Sequence, residues 1–202
     1  MSMDMIVYIQ GFNEISKEGC EKYLEQFGIQ AQAHPETNFQ TDTGFLPFKV
    51  EFPFIENLKG SAFLSGFEIF PDTYDYQQDL KEANEIQSPK IKRGGIKGLF
   101  KKTSAETAET QANNQVFIAD SDVDSILMGC CYRLELCYRS MDELILALAV
   151  SSYLAETGAG VAYDPQTGDY YYRDFKKVLS KYMEEAFDSL ELGMMNPFED
   201  WG

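Results

Sequence analysis

The stretch that most constrains the fold is LILALAVSSYLA, residues 144–155. Ser140 and Glu143 open it as a capping box, S-x-x-E, whose two side chains serve the free N–H groups of a first helical turn. This predicts a helix from Met141 to about Glu156. Leu144 through Tyr153 are apolar almost all round, so the helix needs cover on several sides. A chain of 202 residues, 44% hydrophobic, can build one core around it.

The remaining elements supply that cover. SILMGCCYRLELCYR (125–139) reads as a long strand, with apolar and charged residues alternating in YRLELCYR. MIVYIQ (5–10) is a first strand, and Ser16 caps a helix running to about Phe27, with Gly28 as its stop. Cys20, Tyr23, Leu24 and Phe27 form its buried stripe. IQAQA (29–33), FKVEFPF (48–54) and FLSGFEIF (63–70) are further strands, with Pro53 marking an edge or end and Gly66 a bulge. From Pro71, PDTYDYQQDLKEANEI reads as a helix with Asp72, Asp75, Asp79 and Glu82 on one side. Tyr76, Leu80 and Ala83 form the adjoining apolar stripe. Over 174–190, Phe175, Val178, Leu179, Tyr182, Met183, Ala186, Phe187 and Leu190 mark a closing helix. The expectation is a single α+β domain, a mostly antiparallel or mixed sheet with three to four helices. Residues 88–115 read as a flexible insertion and 191–202 as an acidic tail.

The glycine-rich run TGAGVAYDPQTGDYYYRDF (157–175) is the one place that suggests a phosphate cradle. Such a loop follows a strand and opens a helix, so that free N–H groups meet the anion. Here the order is reversed. Gly158 stands where a helix ends and a left-handed residue is wanted, and DPQTGD spells a hairpin loop. No nucleotide or other cofactor is expected.

A helix ending in LAETGAG, then VAYDPQTGDYYY and an amphipathic helix, resembles a C-terminal pattern of bacterial immunity-type proteins of polymorphic toxin systems. The resemblance covers about residues 140–180, with Gly158-Ala159-Gly160 where Gly-Gly is commoner. It implies a small acidic α+β protein that acts by binding, and it transfers no site residues.

Charge points the same way. Lys plus Arg number 17 and Asp plus Glu 33, a formal net of −16. Residues 88–115 hold six basic and two acidic residues, which leaves 11 basic against 31 acidic elsewhere, a net of −20. A surface this acidic repels nucleic-acid phosphates and speeds encounter with a basic partner. No run of about 18 apolar residues offers a membrane span. The segment MSMDMIVYIQGF lacks a basic stretch before its apolar run and reads as a strand rather than a signal peptide. Four cysteines, two of them adjacent at 130 and 131, do not form a disulfide framework, so a reduced, cytoplasmic setting is expected.

The chemistry-bearing clusters are few. ADSDVDS (119–125) spaces Asp120, Asp122 and Asp124 like a calcium loop, but the positions that need Gly and Glu hold Ser125 and Cys131. A metal-dependent enzyme using these three carboxylates is the alternative function. Cys130, Cys131 and Cys137 lack zinc-ligand spacing and read as small buried hydrophobes. His34 is the sole histidine, so any triad would have to pass through it. Lys90 to Lys102 could dock on an anionic surface, which makes a peripheral scaffold the second alternative. The tail carries Asp188, Glu191, Glu199, Asp200 and Trp201, a lesser binding candidate. The favoured site is the acidic face Asp72, Asp75, Asp79 and Glu82 with Tyr74 and Tyr76, where carboxylates pair with Arg or Lys and tyrosines supply contact area. The expected function is an acidic immunity protein, not an enzyme, that covers the working surface of a cognate basic toxin.

Overall fold

The computed structural model of the chain describes residues 3–87, 118–172, 175–190 and 195–201. The expected insertion at 88–115, its basic run Lys90 to Lys102, and Glu191 lie outside the described residues. Among the described residues there are eight strands: β1 (Met3–Ile9), β2 (Gln30–Ala33), β3 (Gly44–Glu51), β4 (Phe63–Thr73), β5 (Tyr132–Tyr138), β6 (Val161–Asp164), β7 (Asp169–Tyr171) and β8 (Asn196–Pro197). Five helices accompany them: α1 (Lys17–Leu24), α2 (Tyr76–Gln87), α3 (Ser121–Leu127), α4 (Met141–Thr157) and α5 (Phe175–Phe187). The strands form one sheet in the order β2-β3-β4-β5-β1-β6-β7, with β8 beside the start of β4. Every pairing is antiparallel. The α+β class holds, with five helices rather than three or four.

Helix α4 sits where its composition requires. Ile145, Leu146, Ala147, Ala149, Val150 and Leu154 are all fully buried against the front face of the sheet. That face presents Met5, Val7, Ile9, Leu46, Phe48, Phe67, Leu134 and Leu136. Removing each large aliphatic side chain from water contributes about 1.5–3 kcal/mol, which is why this helix tolerates no wet side. Two polar groups fix its neighbours. Tyr23 of α1 shares its hydroxyl with Ser152 Oγ at 2.8 Å and donates to Glu156 Oε2 at 2.9 Å. Tyr153 Oη accepts from the Ser16 N–H and donates to the Ser16 carbonyl, both at 2.9 Å. The predicted capping box forms differently. Glu143 Oε2 accepts from Arg139 N–H, but Ser140 Oγ donates to Asp142 Oδ1 at 2.6 Å instead of capping. Asp142 also accepts from Ser65 Oγ at 2.6 Å, which ties the helix start to β4.

A second, smaller core lies on the back face. Ile6, Tyr8 and Val161 of the sheet pack there with Tyr76 from α2 and with Val123 and Leu127 from α3. The sheet is thus covered by α1, α4 and α5 in front and partly by α2 and α3 behind, a three-layer arrangement.

Several local expectations are corrected. Residues 125–127 belong to α3 and not to a long strand, and β5 begins only at Tyr132. The cause is Asp120, whose side chain accepts from Asp122 and Val123 N–H and nucleates a helix there. The strand at 63–70 runs on to Thr73, paired with β5 through Asp72↔Arg133 and Thr73↔Tyr132, so the next helix starts at Tyr76 rather than Pro71. Gly66 makes no bulge. It pairs regularly with Pro47, and a Cβ there would lie 2.7 Å from the Phe45 ring, which covers the bare backbone.

The glycine-rich run is a turn, as its order implies, but the left-handed residue is Ala159 at φ 50° and not Gly158. Gly158 and Gly160 are needed for closeness instead. A Cβ at Gly160 would meet the Tyr8 carbonyl oxygen at 1.8 Å, and one at Gly158 the Ile9 side chain at 2.7 Å. These two glycines let the chain leave α4 and press directly onto β1. Of the tail, residues 195–201 are described: Phe198 N–H bonds the Ala62 carbonyl at 2.9 Å, and Trp201 meets His34 edge-on at 5.2 Å.

Candidate functional site

The six residues expected to bind a partner span the end of β4, the two-residue link after it and the start of α2 rather than one helix. Asp72 is the last but one residue of β4; Asp75 precedes α2, and its Oδ1 accepts from Gln77 N–H at 2.9 Å, which makes it a cap. Tyr76, Asp79 and Glu82 lie on α2 itself. Asp72, Asp75 and Glu82 are exposed, Tyr74 and Asp79 are half-buried, and Tyr76 is buried. The four carboxylates thus lie where β4 ends and α2 begins, an acidic rim in which Asp79 is close enough to feel Asp75 and Glu82, while Tyr76 is removed from the surface.

Tyr76 has an internal task. Its hydroxyl donates to Asp124 Oδ2 at 2.6 Å. Ile118 N–H donates to the same oxygen and Ala119 N–H to Oδ1, each at 2.9 Å. Burial and the adjacent carboxylate push the Tyr76 phenol up to about 12. This network pins α2, α3 and the segment entering α3 to one another. It also decides the fate of the aspartate triplet. Asp120 is a helix cap and Asp124 is buried with its oxygens taken by backbone and phenol donors, so Asp120, Asp122 and Asp124 do not converge on a metal.

Tyr74 packs its ring against Tyr8 with centroids 4.6 Å apart. Its hydroxyl is buried and makes no hydrogen bond within the described residues. Desolvation raises this phenol, and Asp79 and Tyr8 add to the effect. Asp79 is itself raised from the ordinary carboxylate value, first by burial and then by Glu82. Beside this pair, Tyr163 and Tyr170 stack at 4.5 Å. A band of tyrosines thus backs the acidic rim. None of Asp72, Asp75, Asp79 and Glu82 takes part in an ion pair among the described residues.

One cluster went unread in the sequence. Asp4, Glu135 and Cys137 bring their ligand atoms within 4.8 Å of one another on the back face. Register explains it, since Asp4 lies directly across from Cys137 and Glu135 is two residues along the same strand. Only the pairing of β1 with β5, remote in sequence, could have revealed it. Glu135 is held by Arg133 at 3.0 Å, and burial and Asp4 push the Cys137 thiol up to about 12, so it stays protonated. Of the other cysteines, Cys130 is buried as expected, with its thiol pushed up to about 12 by burial, whereas Cys131 is exposed. Both lie in the loop before β5, not on a strand. His34 faces Trp201, and its Nδ1 accepts from Glu36 N–H at 3.3 Å. No helix among the described residues is long and apolar enough to cross a membrane.

The chain matches no protein-family model, no curated protein and no solved structure.

Proposed function

We propose that the protein is a binding protein of the immunity type, cytoplasmic and non-enzymatic, that neutralises a basic toxin by covering its working surface. The observation that carries this reading is the rim Asp72, Asp75, Asp79 and Glu82, four carboxylates without ion-pair partners among the described residues. It stands on a strand end and a capped helix, so the charges are held on rigid elements and presented without ordering a loop on binding. The net charge of −16 draws a basic partner in, and the rim with half-buried Tyr74 supplies contacts at the end of the approach.

The test begins with affinity capture from the source lysate at low and moderate salt. One stoichiometric basic protein, toxic when expressed alone and harmless when co-expressed, is the expected result. Asp72→Lys combined with Glu82→Lys changes two exposed side chains, neither of which caps an element. It should weaken the complex about tenfold or more, mainly through slower association, and flatten its salt dependence. Unchanged affinity and salt dependence would remove the rim from the interface, and an empty capture would remove the reading.

A further inference from the structure

On the opposite side of the sheet, α4, α5, Tyr138 of β5 and the β6–β7 hairpin line a half-open pocket of about 190 Å³. It exceeds the ~150 Å³ of an engineered apolar cavity known to take up benzene, yet it is not purely apolar. Its described lining has one charged side chain, Asp164, and no lysine, arginine or histidine. Three tyrosines, Tyr138, Tyr171 and Tyr182, share the wall with aliphatic residues such as Leu148. We propose that this cavity binds an alkylammonium group, with Asp164 as its counter-ion, the three tyrosine rings around its head and the aliphatic wall along its stem.

The parts fit that chemistry. Asp164 uses Oδ1 to accept from Gln166 N–H at 2.8 Å, while Oδ2 takes no hydrogen bond from a described residue. The carboxylate is thereby oriented by the hairpin and retains an oxygen for a cationic donor. Tyrosine faces carry the negative side of the ring quadrupole and attract an ammonium, most strongly where water is excluded. Tyr171 is fixed by stacking on Phe175, with centroids 4.9 Å apart and planes at 12°. Tyr182 lines the same wall and is 51% exposed, which leaves its ring accessible from solvent. The Tyr138 phenol is pushed up to about 12 by burial, then by Asp164 and Asp4, so it remains a neutral ring in negative surroundings. An anion would meet Asp164 unfavourably, and a neutral ligand would leave it unpaired.

This inference is independent of the acidic rim, which lies behind the sheet. The experiment titrates the full chain with n-butylammonium and, separately, with 1-butanol, following backbone amide resonances. Saturable shifts confined to residues 161–171 and to α4 and α5, with n-butylammonium binding about tenfold tighter than 1-butanol, support the proposal. Asp164→Asn keeps the Oδ1 that accepts from Gln166. It should cancel the preference for the ammonium while leaving 1-butanol binding intact. Equal affinity for the two probes, an unaffected Asp164→Asn variant, or absence of saturable shifts would each overturn it. Blocked lysine (Nα-acetyl-lysine methylamide) identifies the source of the ammonium. Binding at least as tight as that of n-butylammonium points to a protein side chain, and weaker binding to a free amine. Both retain the ammonium specificity.

Discussion

Asp124 is the one carboxylate among the described residues that the fold takes fully out of water, at 1% exposure. Two backbone N–H groups and the Tyr76 hydroxyl depend on it. Asp124→Ala leaves those three donors buried without an acceptor, and should cost roughly 2–5 kcal/mol in urea unfolding, far more than an exposed acid would. Asp79 has the opposite character. Its folded pKa is raised, so the ionised form is disfavoured in the native state. Below the ordinary aspartate value of about 3.9 both folded and unfolded forms are protonated and nothing is lost. As pH climbs from there through the raised value, the unfolded chain releases its proton first and stability declines. Asp79→Asn escapes that decline. The variant should unfold at higher urea than the parent at neutral pH, and the gap should close as the pH is lowered toward about 3.5. A gap of constant size across that range would show that the Asp79 charge is not the cause.

At the scale of elements, α3 is where pattern and structure part. A strand over 125–139 rests on the alternation in YRLELCYR, which is real and forms β5, but the alternation does not extend back to Ser125. What decides the earlier residues is a capping aspartate, Asp120, which acts locally, and a buried acceptor, Asp124, whose Tyr76 donor on α2 lies more than 40 residues away in the chain. Asp120→Ala should cost about 1 kcal/mol through loss of the cap, with the same loss in EDTA and in millimolar calcium or magnesium. A loss that appears only with the divalent ion would restore a metal role. Helix α4 and the Gly158–Gly160 turn were legible because their constraints are local: an all-round apolar composition and a chain reversal. The acidic rim was only half legible. Its carboxylates could be counted, but the continuation of β4 to Thr73 depends on hydrogen bonds to β5, some 60 residues on, so Asp72 moved from helix to strand. Tyr76 likewise moved inward because Asp124 was there to receive its hydroxyl.

For the whole molecule, a net charge of −16 on a single sheet-centred body means continuous self-repulsion. Only three ion pairs offset it among the described residues: Lys49–Glu51, Arg133–Glu135 and Arg139–Glu68. Raising sodium chloride from about 20 mM to about 500 mM shortens the Debye length from roughly 20 Å to 4 Å, and the unfolding temperature should rise with it. A fall instead would mean that attractive pairs outweigh the repulsion. Strand β1 is central, between β5 and β6, and its register joins Met3 to Tyr138 and Ile6 to Tyr163. On a chain being synthesised, β2, β3 and β4 can pair as soon as they emerge, each with its neighbour in sequence. The apolar run MIVYI has no partner until more than a hundred further residues have been made. Until then it is an unpaired hydrophobic strand, the form of chain that sticks to others of its kind and that holding chaperones recognise. Pairing β1 with β5 and β6 thus waits on contacts more than a hundred residues apart in the chain, the kind of long-range closure that slows folding.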